Sequence, residues 1–195
     1  MRVYLIRHAE CEDNLIEADP TRRMTRAEFN KFVLSSPDSP LTYAGIEQAQ
    51  RLVQHFTTRP ISRLYSSPLP RALATAAALA EAYHLVPQVI ADLRELLPPP
   101  FNEHGASFTA SVRWLFLQGY LRMVFSSDSE DRLSIARHRA RAVWEQMTRE
   151  PAEAIAAVSH GWFIMLLLTI LSGDPSWQVV KRDLNNAGVS LVVSR

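Results

Sequence analysis

RVYLIRHAECEDN, residues 2–14, sets a run of strand-forming side chains against an abruptly polar continuation. Residues 2–6 are mostly β-branched, aromatic and aliphatic, with no helical spacing, and read as a strand buried on both faces. The run ends in Arg7-His8, two basic side chains side by side. A strand can simply stop in polar residues. It can also present a nucleophile at its carboxyl end, and the rest of the chain has to decide between the two.

Outward from this stretch, short apolar runs alternate with segments of helical spacing. Thr42 is a good N-cap, and Ile46, Ala49, Val53 and Phe56 then share one helical face, with Pro60 as the stop. Ile61 to Tyr65 reads as a second strand. Pro70 sits where proline suits a first helical turn, and the alanine-rich run Arg71 to Tyr83 has high helix propensity. Val86 to Ile90, Ala154 to Val158 and Val189 to Val193 read as further strands. Trp162 to Leu171 reads as a buried helix, and residues 132–149 as a charged surface helix. Strands alternating with helices predict one α/β domain over residues 1–195, a three-layer sandwich whose mostly parallel central sheet carries helices on both faces.

Two stretches stand apart. Residues 15–40, with Pro20, Pro37 and Pro40 among charges, are expected to form a mobile loop near the first strand's end, part of it helical over Arg26 to Leu34. Residues 98–128 are expected to be a helical insertion. Its helix, over residues 107–125, is apolar on more than one face: Trp114 to Leu117 are consecutive, and Tyr120, Leu121 and Met123 follow. A helix of that kind is deeply buried or covers another surface, such as the second subunit of a homodimer.

Bulk composition narrows the function. A formal net charge of +1 argues against a general nucleic-acid partner. Cys11 is the only cysteine, so no intrachain disulfide forms and a cysteine-based metal site is not expected. The N-terminus lacks the pattern of a signal peptide, and the most apolar segment is too short to span a bilayer. The expectation is a cytoplasmic protein without membrane association.

In folds of this class ligands bind beyond the carboxyl ends of the strands. Arg7-His8, Ser66-Ser67 with Arg71, Arg94-Glu95, and Ser159-His160-Gly161 all fall just after expected strands. Histidine is a nitrogen nucleophile and a covalent catalyst. Neighbouring guanidiniums keep it neutral, and their forks match phosphate oxygens. His160, just before a helix start, is placed to donate to the same oxygens. Glu95 is placed to protonate a leaving oxygen and then activate water. No Asp pair or carboxylate cluster is seen for Mg²⁺, so the expected chemistry is phosphoryl transfer without metal or other cofactor. Ser66 and Ser67 read as turn formers.

These residues carry a resemblance. Arg7-His8-Ala9 with Asn14, Leu41-Thr42-Tyr43-Ala44-Gly45-Ile46-Glu47-Gln48-Ala49, Ser66-Ser67-Pro68-Leu69-Pro70-Arg71-Ala72-Leu73-Ala74-Thr75-Ala76, Val158-Ser159-His160-Gly161 and Leu184-Asn185-Asn186-Ala187-Gly188 resemble the motifs of the histidine phosphatase superfamily, also called phosphoglycerate-mutase-like. The resemblance implies His8 as nucleophile, Arg7, Arg71 and His160 as the phosphate pocket, Asn14 as a supporting contact and Glu95 as general acid, with Glu103 in reserve. The Trp-Glu-Gly that many members carry after the acid is replaced by Leu96-Leu97-Pro98-Pro99-Pro100, and the Trp-Asn of glycolytic mutases is missing after the first motif. The expected function is therefore a phosphatase acting on a small phosphorylated substrate through phospho-His8. A phosphoglycerate-type mutase, a protein phosphohistidine phosphatase and a non-catalytic phospho-ligand scaffold stand as alternatives. Arg22, Arg23, Arg26, Lys31 and Arg113 either favour an acidic substrate or are simply solvated.

Overall fold

The computed structural model describes residues 1–57, 61–102, 108–125 and 133–195. In chain order its elements are β1 (Arg2–Arg7), α1 (Glu12–Ala18), β2 (Arg23–Met24), α2 (Arg26–Ser35), α3 (Tyr43–Phe56), β3 (Arg63–Ser66), α4 (Pro70–Tyr83), β4 (Gln88–Val89), β5 (Ala110–Ser111), α5 (Val112–Phe125), α6 (Leu133–Thr148), β6 (Ala154–Ser159), α7 (Gly161–Ser172), β7 (Trp177–Lys181) and β8 (Val189–Ser194). Single 3-10 turns stand at Ser36–Asp38 and Ala91–Leu93. The main sheet runs β4-β3-β6-β1-β8-β7, parallel from β4 to β1, with β8 antiparallel to both of its neighbours.

β1 lies inside this sheet, and its unbroken apolar run follows from that: each side chain meets a layer whichever way it points. Val3 and Leu5 pack with Ile155, Ala157 and Val192 under Ala140 and Val143 of α6 and Phe163 and Leu167 of α7. Tyr4 and Ile6 pack with Leu64, Ala156 and Val158 against Leu52 and Phe56 of α3 and Ala72, Ala76 and Leu79 of α4. Helices thus cover both faces, as the alternation of strands and helices predicts.

The stretch expected to be a loop is largely regular. It holds most of α1, then β2, α2 and the turn at Ser36–Asp38. Thr25 caps α2, accepting from the Glu28 N–H, while Glu28 reaches back to the Thr25 N–H at 2.7 Å. Phe29, Phe32 and Val33 of α2 pack with Met24 against Phe101, Ala110, Val112 and Leu115, and β2 pairs with β5. The two stretches set apart in the sequence therefore fold onto each other. α5 buries Val112, Leu115, Tyr120 and Met123 and leaves Trp114, Leu117 and Leu121 about half exposed.

Other departures have local causes. α3 buries Gly45, Ala49, Leu52 and Phe56, and Ile46 points outward. Ala49 and Phe56 are buried and Val53 packs on the core as expected, while in place of Ile46 it is Gly45 that faces inward, where the Glu10 carbonyl approaches so closely that a Cβ would lie 2.0 Å from its oxygen. The strand expected over Val86 to Ile90 pairs only at Gln88 and Val89, an edge opposite Tyr65 and Ser66. α6 is less of a surface helix than its charges imply, since Ala136, Arg139, Ala140, Val143, Trp144 and Met147 are buried. β7 was not anticipated. The stop at Pro60 and the polar break Ser126 to Asp131 lie outside the described residues. Among the described residues no helix is long and apolar enough to cross a membrane.

Candidate active site

The sheet brings the site together by register. Arg7 stands opposite Ser159, and Ser66 opposite Val158. One residue on, the His8 N–H donates to the Ser159 carbonyl and the Ser67 N–H to the Val158 carbonyl, each at 2.9 Å. His8, Ser67 and His160 therefore leave the sheet together at the carboxyl ends of β1, β3 and β6. The rings of His8 and His160 lie 5.1 Å apart, centroid to centroid.

Two hydrogen bonds define the state of His8, which is only 3% exposed. Its Nδ1 lies 2.7 Å from the Ala9 carbonyl, which only accepts, so Nδ1 carries the proton. The Arg71 Nε–H donates to Nε2 at 3.3 Å, so Nε2 carries the lone pair. Burial first, then the Arg71 charge, with Arg7 adding to them, lower the His8 pKa from 6.5 to about 3 against the opposing Ala9 bond. The imidazole is neutral at physiological pH, with its free nitrogen beside a guanidinium.

His160 is fully buried, and its pKa is held well below the usual imidazole value by burial and then by His8, Arg71 and Arg7. Its Nε2 lies 2.8 Å from Ser67 Oγ, and its Nδ1 has no hydrogen-bond partner among the described residues. Arg71 occupies the first turn of α4 after Pro70, is buried, and also donates from Nη1 to the Ser36 carbonyl at 2.6 Å. Arg7 donates from Nη1 to the Leu184 carbonyl at 2.9 Å and keeps a buried Nε without a hydrogen-bond partner among the described residues. A cation in the first turn of a helix works against its dipole, and a buried N–H left unpaired carries a desolvation cost of its own. Both features fit a place made for an anion.

The other expected site residues fall as follows. Glu95 lies at the start of α7, where Oε1 accepts from the Leu96 and Phe163 N–H groups at 2.9 and 3.0 Å and Oε2 from the Trp162 N–H at 3.4 Å. Burial raises its pKa, while those bonds and Arg7 oppose the rise. Asn14 is the N3 residue of α1, its Oδ1 accepting from the Cys11 N–H at 3.1 Å and from Asn186 Nδ2 at 2.6 Å. Arg94 turns outward and pairs with Asp92. Glu103 lies outside the described residues.

The remaining motif residues form a scaffold behind His8. Thr42 caps α3 and bonds the Glu10 carboxylate at 2.7 Å, Gln48 accepts from the Glu10 N–H at 2.9 Å, and Gly45 admits the Glu10 carbonyl. Thr75 accepts from the Ala9 N–H at 3.0 Å and donates to the Arg71 carbonyl at 2.7 Å, tying nucleophile loop and arginine together. The late segment closes the frame: the Ala187 N–H, at a residue with φ of 56°, donates to the His8 carbonyl, and the Gly188 carbonyl accepts from Arg7. Ser67 is more than a turn former, since its hydroxyl is the partner of His160.

Arg7, His8, Arg71 and Glu95 open into a cavity of about 310 Å³. Phe116, Tyr120 and Trp162 form one wall, and Asp13 and Glu17 of α1 also line the space. Burial pushes the Glu17 pKa up to about 7, against Arg7 and a hydrogen bond from Asn14, while Glu95 and Asp13 add to the rise. Sequence reasoning missed both carboxylates. Asn14 and Glu17, three apart on one helix, were the available signal. None of Arg22, Arg23, Arg26, Lys31 and Arg113 lines the cavity. Arg23 bonds the Thr109 carbonyl, Arg26 sits over the Phe101 ring, and Arg113 donates to the Glu17 and Ala18 carbonyls at the end of α1.

A three-layer α/β fold with a neutral histidine, a second histidine and two guanidiniums at the strand ends defines the class of enzymes that act on phosphate esters. The chain belongs to the histidine phosphatase superfamily (branch 1), whose family model matches residues 3–195. It is 36% identical to the "Probable phosphoglycerate mutase GpmB" of Proteus mirabilis, over 98% of this chain and 84% of that one. It is 27% identical to the 5''-phosphoribostamycin phosphatase of Niallia circulans, over 98% of this chain and 87% of that one. The same fold is seen in the phosphoserine phosphatase of Entamoeba histolytica, solved as an H9A mutant with phosphoserine: TM-score 0.63, 23% identity, covering 100% of this chain and 91% of that one.

Proposed function

We propose that this enzyme is a phosphatase that hydrolyses a small phosphate monoester through a phosphohistidine on His8. The observation that carries the reading is the tautomer of His8: with Nδ1–H held by the Ala9 carbonyl, the Nε2 lone pair is the one that faces Arg71. In the first step Nε2 attacks phosphorus, the P–N bond forms as the ester P–O bond breaks, and Glu95 gives its proton to the leaving oxygen. In the second, water attacks phosphorus, its proton passes to Glu95, the P–N bond breaks and neutral His8 returns. Arg7, Arg71 and the unpartnered His160 Nδ1 hold the equatorial oxygens as charge redistributes. A raised Glu95 pKa supports the acid role, because a protonated carboxyl is what the leaving group needs.

A mutase is the second reading, favoured by the name of the Proteus relative. Asp13 and Glu17 on the cavity wall weigh against it, since two carboxyl groups beside a phosphoglycerate's own carboxylate disfavour its binding, whether by repulsion or by having to take up a proton. Hydrolysis of p-nitrophenyl phosphate in EDTA is the test. Wild type is expected to turn over and His8→Ala to be inert; full activity in His8→Ala ends this account.

A further inference from the structure

Glu17 has a position the chemistry just described does not use. It projects from α1 into the cavity that holds Arg7 and His8. Arg113 anchors α1 from outside, donating to the Glu17 carbonyl at 3.2 Å and the Ala18 carbonyl at 3.0 Å, so the carboxylate is presented from a fixed turn. Among the described residues no cation lies within ion-pair distance of it. The next carboxylate on the wall, Asp13, keeps a buried Oδ2 with no hydrogen-bond partner among the described residues. Glu17 is half-buried, and besides a hydrogen bond from Asn14 and the more distant charge of Arg7 it has no ion-pair partner among the described residues, so a cationic ligand group there supplies the counter-charge it is short of.

The rest of the wall shows which ligand. Phe116 and Tyr120 stack with ring centroids 6.0 Å apart, and Tyr120 lies 3.8 Å from Trp162. Aromatic faces beside a carboxylate favour an organic cation over a hydrated metal ion or a neutral polyol. The phosphate end is the reverse, with the guanidiniums of Arg7 and Arg71 beside His8. The cavity therefore has a positive pole at His8 and a negative wall at Glu17.

We infer that Glu17 is a specificity residue that recognises a protonated amine on the substrate, which makes the preferred substrates amine-bearing phosphate monoesters. This rests on the phosphatase reading of the same site. The raised pKa of Glu17 agrees with it, since a bound ammonium supplies a charge that favours the ionised carboxylate.

Binding of non-hydrolysable phosphonates tests the inference apart from turnover. Calorimetry would compare ω-aminoalkylphosphonates of increasing chain length with alkylphosphonates of equal length, on wild type, Glu17→Gln and Glu17→Asp. At the best chain length the amine is expected to bind at least about tenfold tighter in wild type, the factor one charge-assisted hydrogen bond contributes. That ratio is expected to fall to about one in Glu17→Gln and to persist in part in Glu17→Asp. Equal affinity of both series for wild type, or an unchanged ratio in Glu17→Gln, overturns the inference alone. Binding of neither series overturns the phosphate reading with it.

Discussion

A buried neutral histidine makes stability depend on pH, and His8→Gln isolates its share. In the folded chain the His8 pKa is lowered to about 3, and in the unfolded chain it returns to 6.5. Above 6.5 both states hold the imidazole neutral and the full stability is present. As pH falls below 6.5 the unfolded chain binds a proton that the folded site refuses, so stability is lost progressively toward pH 3. Between about pH 7.5 and about pH 4.5 the loss from this one group is about 2.7 kcal/mol. His160 acts with the same sign and remains in the variant, so the difference between wild type and His8→Gln reports His8 together with the part of the His160 shift that His8 causes. Urea unfolding followed by tryptophan fluorescence at the two pH values measures it. Wild type should lose about 2–3 kcal/mol more than His8→Gln on acidification. Any constant effect of the substitution cancels, because only the change with pH is read. Equal losses in the two proteins would refute the claim that burial and Arg71 keep His8 neutral.

Gly45→Ala drives a Cβ to 2.0 Å from the Glu10 carbonyl oxygen, which cannot yield without moving the loop that carries His8. A cost of about 1–3 kcal/mol and a Tm lowered by roughly 3–10 °C are expected in a thermal melt, with kcat down about a hundredfold on p-nitrophenyl phosphate. Ser67→Ala removes the partner of His160 Nε2 and of the Leu69 N–H and should lower kcat about tenfold and Tm by roughly 2–10 °C, as steady-state kinetics and a melt together show. Glu95→Gln should reduce kcat by about 10²–10⁴ while vanadate still binds in a fluorescence titration; loss of vanadate binding would make Glu95 a structural brace for α7.

How much of this was legible depends on which force placed each residue. β1, β3 and β6 are buried on both faces or nearly so, and their apolar runs announce them. The polar residues at their ends then stand out, and the register carries His8, Ser67 and His160 to one place. α1 has no buried residue at all, so no periodicity marks it as a helix, and Asp13 and Glu17 went unseen with it. α2 and α5 find their partners in each other across a long sequence separation, which local composition does not record. The face of α3 is legible at Ala49, Val53 and Phe56 but not at its start, where a backbone carbonyl against Gly45, rather than the apolar side chain of Ile46, makes the contact. β7 carries its partly buried residues at Trp177 and Val179 only, too weak an alternation to separate it from a loop.

The central claim is that phosphorus becomes bonded to Nε2 of His8 during turnover. A radiolabelled phosphate monoester, mixed with enzyme and quenched within one turnover into alkali to preserve the P–N bond, followed by peptide mapping, tests this directly. Label on the peptide containing His8, absent in His8→Ala, is the predicted result. Continued hydrolysis with no protein-bound label, or label on a peptide lacking His8, would contradict it.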